Sequence, residues 1–396
     1  MEYVTLGEHC DITSSKRVFA NQYVDEGIPF YRSREIIEKK EMKDISEPLF
    51  ISEDLYDTFK KKFGVPQKGD LLLTSVGTLG IPYIVKDEVF YFKDGNLTWM
   101  KNFQDTLNSK YLYYWLNSKF GKESLIIRAI GSSQAALTID ILKKYKFLLP
   151  ERKVQDRIVE ILSGYDTHIE NNNKRIKLLE KMAEKLYEEW FVHFRFPGHE
   201  NYSLKEQFPR GWVVASKATE MVCPEGWHYG KFSEIGTFVR GKNITAAEMV
   251  EGDIPVISAG LEPSGYHNAN NVTGKSLTIS ASGANAGYLK YHLSDIWAAD
   301  CSYCQDDKKL WFIYNALKFL QPVISNMQVG AAQPHVYPKN INRLCTIIPD
   351  DDTIQAYCDK VEPIYEQIKL LKDKNANLTK QRDMLLPRLM SGKLEV

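Results

Sequence analysis

The chain has 396 residues, and its 51 Lys+Arg balance 51 Asp+Glu. That length points to two or three domains, 43% hydrophobic residues is ordinary for a globular protein, and six Cys are too few for a disulfide scaffold. No apolar run approaches the roughly eighteen residues of a membrane span, and the start Met1-Glu2-Tyr3-Val4-Thr5 lacks a signal-peptide pattern, so a cytoplasmic protein without a membrane partner is expected. Zero net charge counts against a nucleic-acid binder, which usually carries a basic excess.

Residues 1–150 are rich in Tyr, Phe, Ile and Val, with Gly and Pro at short intervals. That composition predicts strands and turns with a few helices. Within it, 110–118 (KYLYYWLNS) reads as an amphipathic helix buried on one side. Residues 151–198 have almost no Gly and many Glu, Lys, Leu and Ile, a long-helix composition. A loop region around 195–226 carries Pro209-Arg210-Gly211-Trp212 and then Pro224-Glu225-Gly226-Trp227. Residues 199–349 return to strand-and-turn composition, with a second amphipathic helix at 310–320 (LWFIYNALKFL), and 350–396 form a second long helix.

The chain is written twice. Gly27-Ile28-Pro29 resembles Asp253-Ile254-Pro255, an offset of 226 that also aligns Leu6 with Phe232, Glu8 with Glu234 and Lys16 with Lys242. Leu73-Thr74-Ser75-Val76-Gly77 resembles Ile279-Ser280-Ala281-Ser282-Gly283 at an offset of 206. Gly131-Ser-Ser-Gln134 resembles Gly330-Ala-Ala-Gln333, and Leu148-Leu149-Pro150 matches Ile347-Ile348-Pro349, both at 199. The falling offset means that the second copy has two shorter loops.

The two helical parts carry apolar residues at alternating steps of four and three. The first seam runs Ile158, Leu162, Tyr165, Ile169, Asn172, Ile176, Leu179, Ala183, Leu186, Trp190; the second runs Tyr357, Val361, Ile364, Ile368, Leu371, Asn375, Leu378, Arg382, Leu385, Leu389. A period of about 3.5 residues is a coiled-coil seam. Each seam holds one Asn. Setting Asn172 against Asn375 in an antiparallel pair makes partner numbers sum to 547 and brings Ile169 to Leu378, Ile176 to Leu371 and Leu179 to Ile368. One amide then satisfies the other, which fixes register at some cost in stability. Pro363 and Pro387 sit badly inside a helix, so end pairs such as Trp190 with Tyr357 are weak expectations. From Ile158 to Trp190 is about 48 Å at 1.5 Å per residue. The expected fold class is α+β: two globular α/β domains separated by a long antiparallel two-helix coiled coil, an internal duplication with pseudo-twofold symmetry. Two similar modules on such a spacer suit a partner with two similar sites, and DNA offers sites one to one and a half turns apart over roughly this length.

Motifs for catalysis are missing. There is no phosphate-loop motif, no H-E-x-x-H, no G-x-S-x-G and no Pro-Pro for an amino-methyltransferase tetrapeptide. Cys301-Ser302-Tyr303-Cys304 is a lone CxxC without a second Cys/His pair, so no metal site is expected. Gly77-Thr78-Leu79-Gly80 reads as a turn, and no catalytic residue is assigned.

Two helical stretches then carry a resemblance. Residues 184–198 (EKLYEEWFVHFRFPG) resemble the end of the central conserved region of type I restriction–modification specificity subunits, and 382–394 (RDMLLPRLMSGKL) look like their C-terminal ending. Gly330-Ala-Ala-Gln333-Pro334, followed by Ile347-Ile348-Pro349, resembles the end of their recognition domains. The first copy departs, with Ala-Ala after Gln134 where the family often has Gln-Pro, and the usual Gln after the Pro is displaced to Gln155 and Gln355. The resemblance covers the whole chain: recognition domain 1 at 1–150, central conserved helical region at 151–198, recognition domain 2 at 199–349, and C-terminal conserved helical region at 350–396. It implies a non-catalytic subunit that reads a bipartite, asymmetric double-stranded DNA target, one domain per half-site. It further implies two methyltransferase subunits holding S-adenosylmethionine, and restriction subunits using ATP and Mg. The chain itself would bind no cofactor.

Sequence is read at base edges, Arg or Lys suiting guanine and Asn or Gln suiting adenine, while phosphate contacts fix position. The candidates are Lys16, Arg17, Arg32, Arg34, Ser75, Thr78 and Gln134 in the first domain, and Arg240, Lys242, Ser282, Asn285 and Gln333 in the second, all in loops that the repeat makes equivalent. Lys60-Lys61-Lys62 reads as a solvated face. Trp190, Phe191, Phe194 and Phe196 are candidates for docking a partner subunit, with packing on the adjacent recognition domain as the alternative. The competing functions are a self-sufficient DNA methyltransferase or nuclease, and a coiled-coil scaffold that binds only protein.

Overall fold

The computed structural model describes residues 2–129, 136–206, 222–327 and 335–394. The chain divides into two compact units, Met1–Asn173 with Asp373–Val396, and Lys174–Lys372. Each unit takes one globular part and a share of both long helices.

In the first unit, Asp11–Thr13, Leu97–Lys101, Leu71–Thr74 and Pro82–Ile84 form an antiparallel sheet in that spatial order. Leu71–Thr74 is an inner strand with every residue buried, which is why it reads LLLT instead of alternating. A second sheet runs Tyr23–Val24, Phe50–Ile51, Ile28–Tyr31, Tyr91–Phe92, its last pair parallel. Glu2–Thr5 pairs with Lys146–Leu149, so the globular part closes on itself just before the first long helix begins. The helix Ser109–Asn117 buries Tyr111, Leu112, Tyr114, Trp115 and Leu116, and Trp115 Nε1 donates to the Tyr145 hydroxyl at 3.0 Å. Its aromatic run is core. Gln155, fully buried, ties the start of the long helix down: its Nε2 donates to the Thr106 and Pro150 carbonyls, and its Oε1 accepts from the Asn108 amide at 2.8 Å.

The second unit repeats the plan. Its antiparallel sheet runs Val239–Arg240, Cys301–Cys304, Ser276–Ser280, Leu289–His292, and a smaller sheet runs Gly265–His267, Ile254–Ile257, Trp297–Ala298 with the last pair parallel. His228–Lys231 pairs with Cys345–Ile348 before the second long helix. The duplication extends to individual pairings. Phe30 faces Tyr91 and Val256 faces Trp297, at offsets of 226 and 206. Tyr3 faces Leu148 and Tyr229 faces Ile347, at 226 and 199. Isolated bridges join Val76 to Ala136 and Ser282 to His335, at 206 and 199. The three offsets legible in the sequence therefore index the hydrogen bonding of both copies.

The long helices span Arg152–Tyr187 and Asp351–Met390. Inside the first unit they run in opposite senses. Ile158, Leu162, Leu385 and Leu389 share one core, Asp166 pairs with Arg382 at 2.7 Å, and Asn172 Nδ2 donates to Asn375 Oδ1 at 2.8 Å. Asn375 Nδ2 in turn donates to Asn173 Oδ1 at 2.8 Å, so three amides meet where the sequence pattern pairs two. Inside the second unit, Ile176, Leu179, Ala183, Ile368 and Leu371 belong to one core. Pro363 and Pro387 correct the expectation drawn from them: both lie within the uninterrupted second helix. Both face solvent, and the carbonyls they leave unbonded belong to the exposed residues Asp359 and Asp383, which water can serve. The end pair Trp190 and Tyr357 meets edge to face at 5.8 Å.

Two predictions follow from this packing. The Asn375→Leu substitution strands the Asn172 and Asn173 amides and lowers the denaturation free energy by about 1 kcal/mol, whereas the double Asn172→Leu, Asn375→Leu variant, which leaves only the Asn173 amide without that partner, regains part of the loss in urea unfolding. In the second unit His292 is buried, its Nε2 lies 2.8 Å from Thr278 Oγ1, and burial with Lys290 and Lys372 nearby pushes its pKa down to about 3. The folded protein keeps the ring neutral while the unfolded chain protonates near pH 6.5. Stability therefore falls on acidification between about pH 6.5 and 3, by up to about 1.4 kcal/mol per pH unit from this group. A His292→Gln variant should lose that part of the slope in denaturation measured at stepped pH.

Candidate nucleic-acid interface

The glycine turns nominated by the repeat are built alike, but not every candidate sits in a loop: Arg34 lies in the helix Ser33–Lys40 and Arg240 in the strand Val239–Arg240. In the first unit the turn after Leu71–Thr74 places Gly77 at φ +77° and Gly80 at φ +74°; in the second, the turn after Ser276–Ser280 places Gly283 at +74° and Gly287 at +87°. Added side chains at Gly77 and Gly283 would meet no atom within 4 Å, so the left-handed backbone, not space, is what asks for glycine there. Each turn is bridged to the segment that leads towards its long helix: Leu137 N donates to the Ser75 carbonyl and Val336 N to the Ala281 carbonyl, each at 3.0 Å.

Lys16 and Lys242 are exposed and occupy equivalent places. The Lys16 ammonium lies 5.6 Å from the Phe63 ring, and that of Lys242 lies 6.0 Å from the Trp297 ring. Their backbone amides are also committed alike, Lys16 N to the Tyr91 hydroxyl and Lys242 N to the Ala298 carbonyl, both at 2.9 Å.

The nominated arginines all carry acidic partners. Arg17 pairs with Asp94 at 2.9 Å. Arg32 binds the buried Glu35 at 2.5 Å, which holds the guanidinium above its ordinary pKa, and reaches Glu47 at 3.7 Å. Arg34 pairs with Glu47 at 3.0 Å and Glu38 at 3.3 Å. Asp300 binds both Arg240 and the Ser282 hydroxyl. Asp94 and Asp300 stand 77 and 60 residues from their arginines, so only the fold brings those pairs together, whereas Glu35 and Glu38 lie one helical turn from theirs. Thr78 is exposed on its turn, and Asn285 is half-buried in the turn Gly283–Asn285.

Some candidates are placed elsewhere. Ser75 is buried, its hydroxyl donating to the Leu73 carbonyl and meeting Thr98 Oγ1 at 2.6 Å. It is buried just past the end of the inner strand Leu71–Thr74 and leaves the list of DNA contacts. Gln134 and Gln333 lie outside the described residues, as does 209–212. Lys60, Lys61 and Lys62 are exposed in the last turn of the helix Glu53–Phe63, where positive charge suits the helix C-terminus. Cys301 and Cys304 stand three apart on one strand, so they face opposite sides and join different cores. Burial pushes both thiols up to about 12.

With this geometry in view, comparison with known proteins is decisive. The family model for the type I restriction modification DNA specificity domain matches residues 1–181 and 224–380. The chain belongs to this family. It is 28% identical over 352 residues to the type I restriction enzyme MjaIX specificity subunit of Methanocaldococcus jannaschii, spanning 83% of this chain and 78% of that one. It is 22% identical over 332 residues to the HindI specificity subunit of Haemophilus influenzae, spanning 65% and 71%. The crystal structure of the type I restriction-modification system S subunit from M. genitalium shares the fold, with a TM-score of 0.57 and 18% identity over 98% of this chain and 95% of that one.

In this specificity-family chain the aromatic block after the first long helix is interior. Trp190, Phe191 and Phe196 are buried, and Phe194 is half-buried at φ +56°. Phe196 stacks on Trp227 at 4.8 Å, Phe191 meets Phe312 edge to face at 4.8 Å, and Phe194 lies 6.0 Å from Trp227. A π-helical turn, Glu188–Val192, carries Trp190 and Phe191 into that core. The expectation that these four rings form a docking patch is corrected: they hold the helix to the recognition domain of their own unit. Replacing Phe191 by Ala should cost about 3–5 kcal/mol in chemical denaturation. A stable variant that merely lost a partner would show the packing account to be wrong.

Proposed function

We propose that this chain is the sequence-reading subunit of a type I restriction–modification complex. Each recognition domain reads one half of a split, asymmetric double-stranded DNA target. The observation that carries the reading is the duplicated architecture: two equivalent bridged turns, one per copy, and in each copy an exposed lysine beside an aromatic ring. Lys16, Arg17, Arg32, Arg34 and Thr78 serve the first half-site, and Arg240, Lys242, Ser282 and Asn285 the second, with arginines exchanging their carboxylate partners for phosphate or guanine. Asn172 and Asn375 set the helix register.

The chain supplies no catalysis of its own in this reading. Two methyltransferase subunits, binding S-adenosylmethionine, dock on it, and restriction subunits that use ATP and Mg join them in the cytoplasm. A balance of 51 cations and 51 anions gives the isolated chain little nonspecific grip on DNA, so the partners add phosphate contacts.

Mapping methylated adenines in the source genome tests the assignment. A split motif should be present with the gene and vanish on its deletion. Exchanging residues 1–150 for the corresponding part of a relative should change one half of the motif and leave the other. Methyl transfer by the isolated chain would replace this reading with that of a self-sufficient methyltransferase, and a motif indifferent to the gene would leave only a protein-binding scaffold.

A further inference from the structure

The edge of the second recognition domain holds a feature that the first lacks. His335 is bridged to Ser282, and Val336 donates from its amide to the Ala281 carbonyl while its side chain is fully buried in the core. In an extended segment the residues on either side of a buried position share the opposite face. His335 and Tyr337 do so: their rings stack at 5.8 Å with planes 16° apart, and the Lys339 ammonium lies 5.7 Å from the Tyr337 ring. Tyr337 is 43% exposed. The ledge is held firmly, because Tyr337 precedes the short helix Pro338–Ile341, whose Ile341 is buried and whose Asn340 amide binds the Tyr337 carbonyl at 2.9 Å.

The first copy has the same backbone and different chemistry. At the offset of 199, Val336 corresponds to Leu137, also buried, with the equivalent hydrogen bond to Ser75. His335, Tyr337 and Lys339 correspond to Ala136, Thr138 and Asp140. Thr138 spends its hydroxyl on the Ile141 amide, capping a short helix. A stacked aromatic pair with an ammonium is thus replaced by a methyl, a committed hydroxyl and an anion.

A stacked pair of which Tyr337 is exposed gains little in the free chain, because much of that ring's surface stays in water. Beside a duplex it would cover deoxyribose and thymine methyl faces, with the ammonium on the adjacent phosphate and the imidazole within reach of a base edge. The nearby Ser282 hydroxyl is already held by Asp300, whereas the Tyr337 ring and the Lys339 ammonium of the ledge are exposed. The geometry points to His335, Tyr337 and Lys339 as specificity-determining contacts of the second half-site, without counterpart in the first. This deepens the DNA-reading assignment and rests on it.

The test uses the full chain assembled with its methyltransferase subunits, and duplexes carrying the target defined by methylation mapping. Tyr337→Ala and His335→Ala should each weaken binding about 10-fold and relax base discrimination in the second half only. Lys339→Gln should weaken binding across sequences and reduce the salt slope by about one. Thermal denaturation of each variant should match the parent, since Tyr337 and Lys339 are exposed and His335 is half-buried. Unchanged affinity and discrimination in the variants, with the parent still reading its split target, would overturn the ledge alone. A parent complex without any split target would overturn the DNA-reading assignment as well. Equal relaxation of both halves would also defeat the proposal, because it would make the ledge a general stabiliser of the complex.

Discussion

The amide contact of Asn172 with Asn375 governs how the long helices can pair. A heptad seam of Leu and Ile tolerates slippage, because one apolar layer resembles the next. Sliding by one heptad would set Asn172 against Ile368 or Arg382 and leave amide groups without partners in a partly dry seam. The native register instead lets Asn375 bridge Asn172 and Asn173, and it places Arg382 on Asp166, which also accepts from the Tyr114 hydroxyl at 2.6 Å. That last contact ties the seam to the globular part of the first unit, so the choice of register is also a choice of how a recognition domain grips its helices.

The second unit solves the same anchoring problem with other residues. Where Gln155 clamps the first helix start, Asp350 accepts from the Trp227 indole at 2.7 Å and from the amide and hydroxyl of Thr353. The same end is also secured by rings: Trp190 and Phe191 enter through a π-helical turn and close on Tyr357 at 5.8 and 5.2 Å. Duplication has preserved the hydrogen-bonding frame, with its offsets of 226, 206 and 199, while the groups that brace it have diverged.

Period and repetition made the fold legible in the sequence. A 3.5-residue seam, two solitary Asn and matched Gly turns are local patterns whose geometry follows from helix and turn stereochemistry. The candidate site was legible at the level of loops and not of side chains. Ser75 lies in a glycine-rich stretch that reads as an exposed loop, yet it is buried just past the inner strand Leu71–Thr74 and bonds to Thr98 on the neighbouring strand. The Trp190–Phe196 block reads equally as a patch or as core, and only the position of Trp227 and Phe312 decides. Pro363 and Pro387 obey the rule that proline removes a donor, but solvent exposure makes the loss cheap.

The balanced charge of the chain takes on a local meaning from the ion pairs. Arg17, Arg32, Arg34 and Arg240 each sit on a carboxylate, so at these four nominated positions the charge is balanced residue by residue. A paired guanidinium offers phosphate only the difference between two similar ionic contacts, which at a solvated surface is small. Sequence-independent attraction is suppressed in this way, whereas a base that completes a bidentate geometry still gains. Such pairing discriminates against wrong partners by making general attraction weak, not by making the right contact stronger. In the proposed DNA-reading role, the acids that balance the charge of the composition would be the groups that favour discrimination over general attraction.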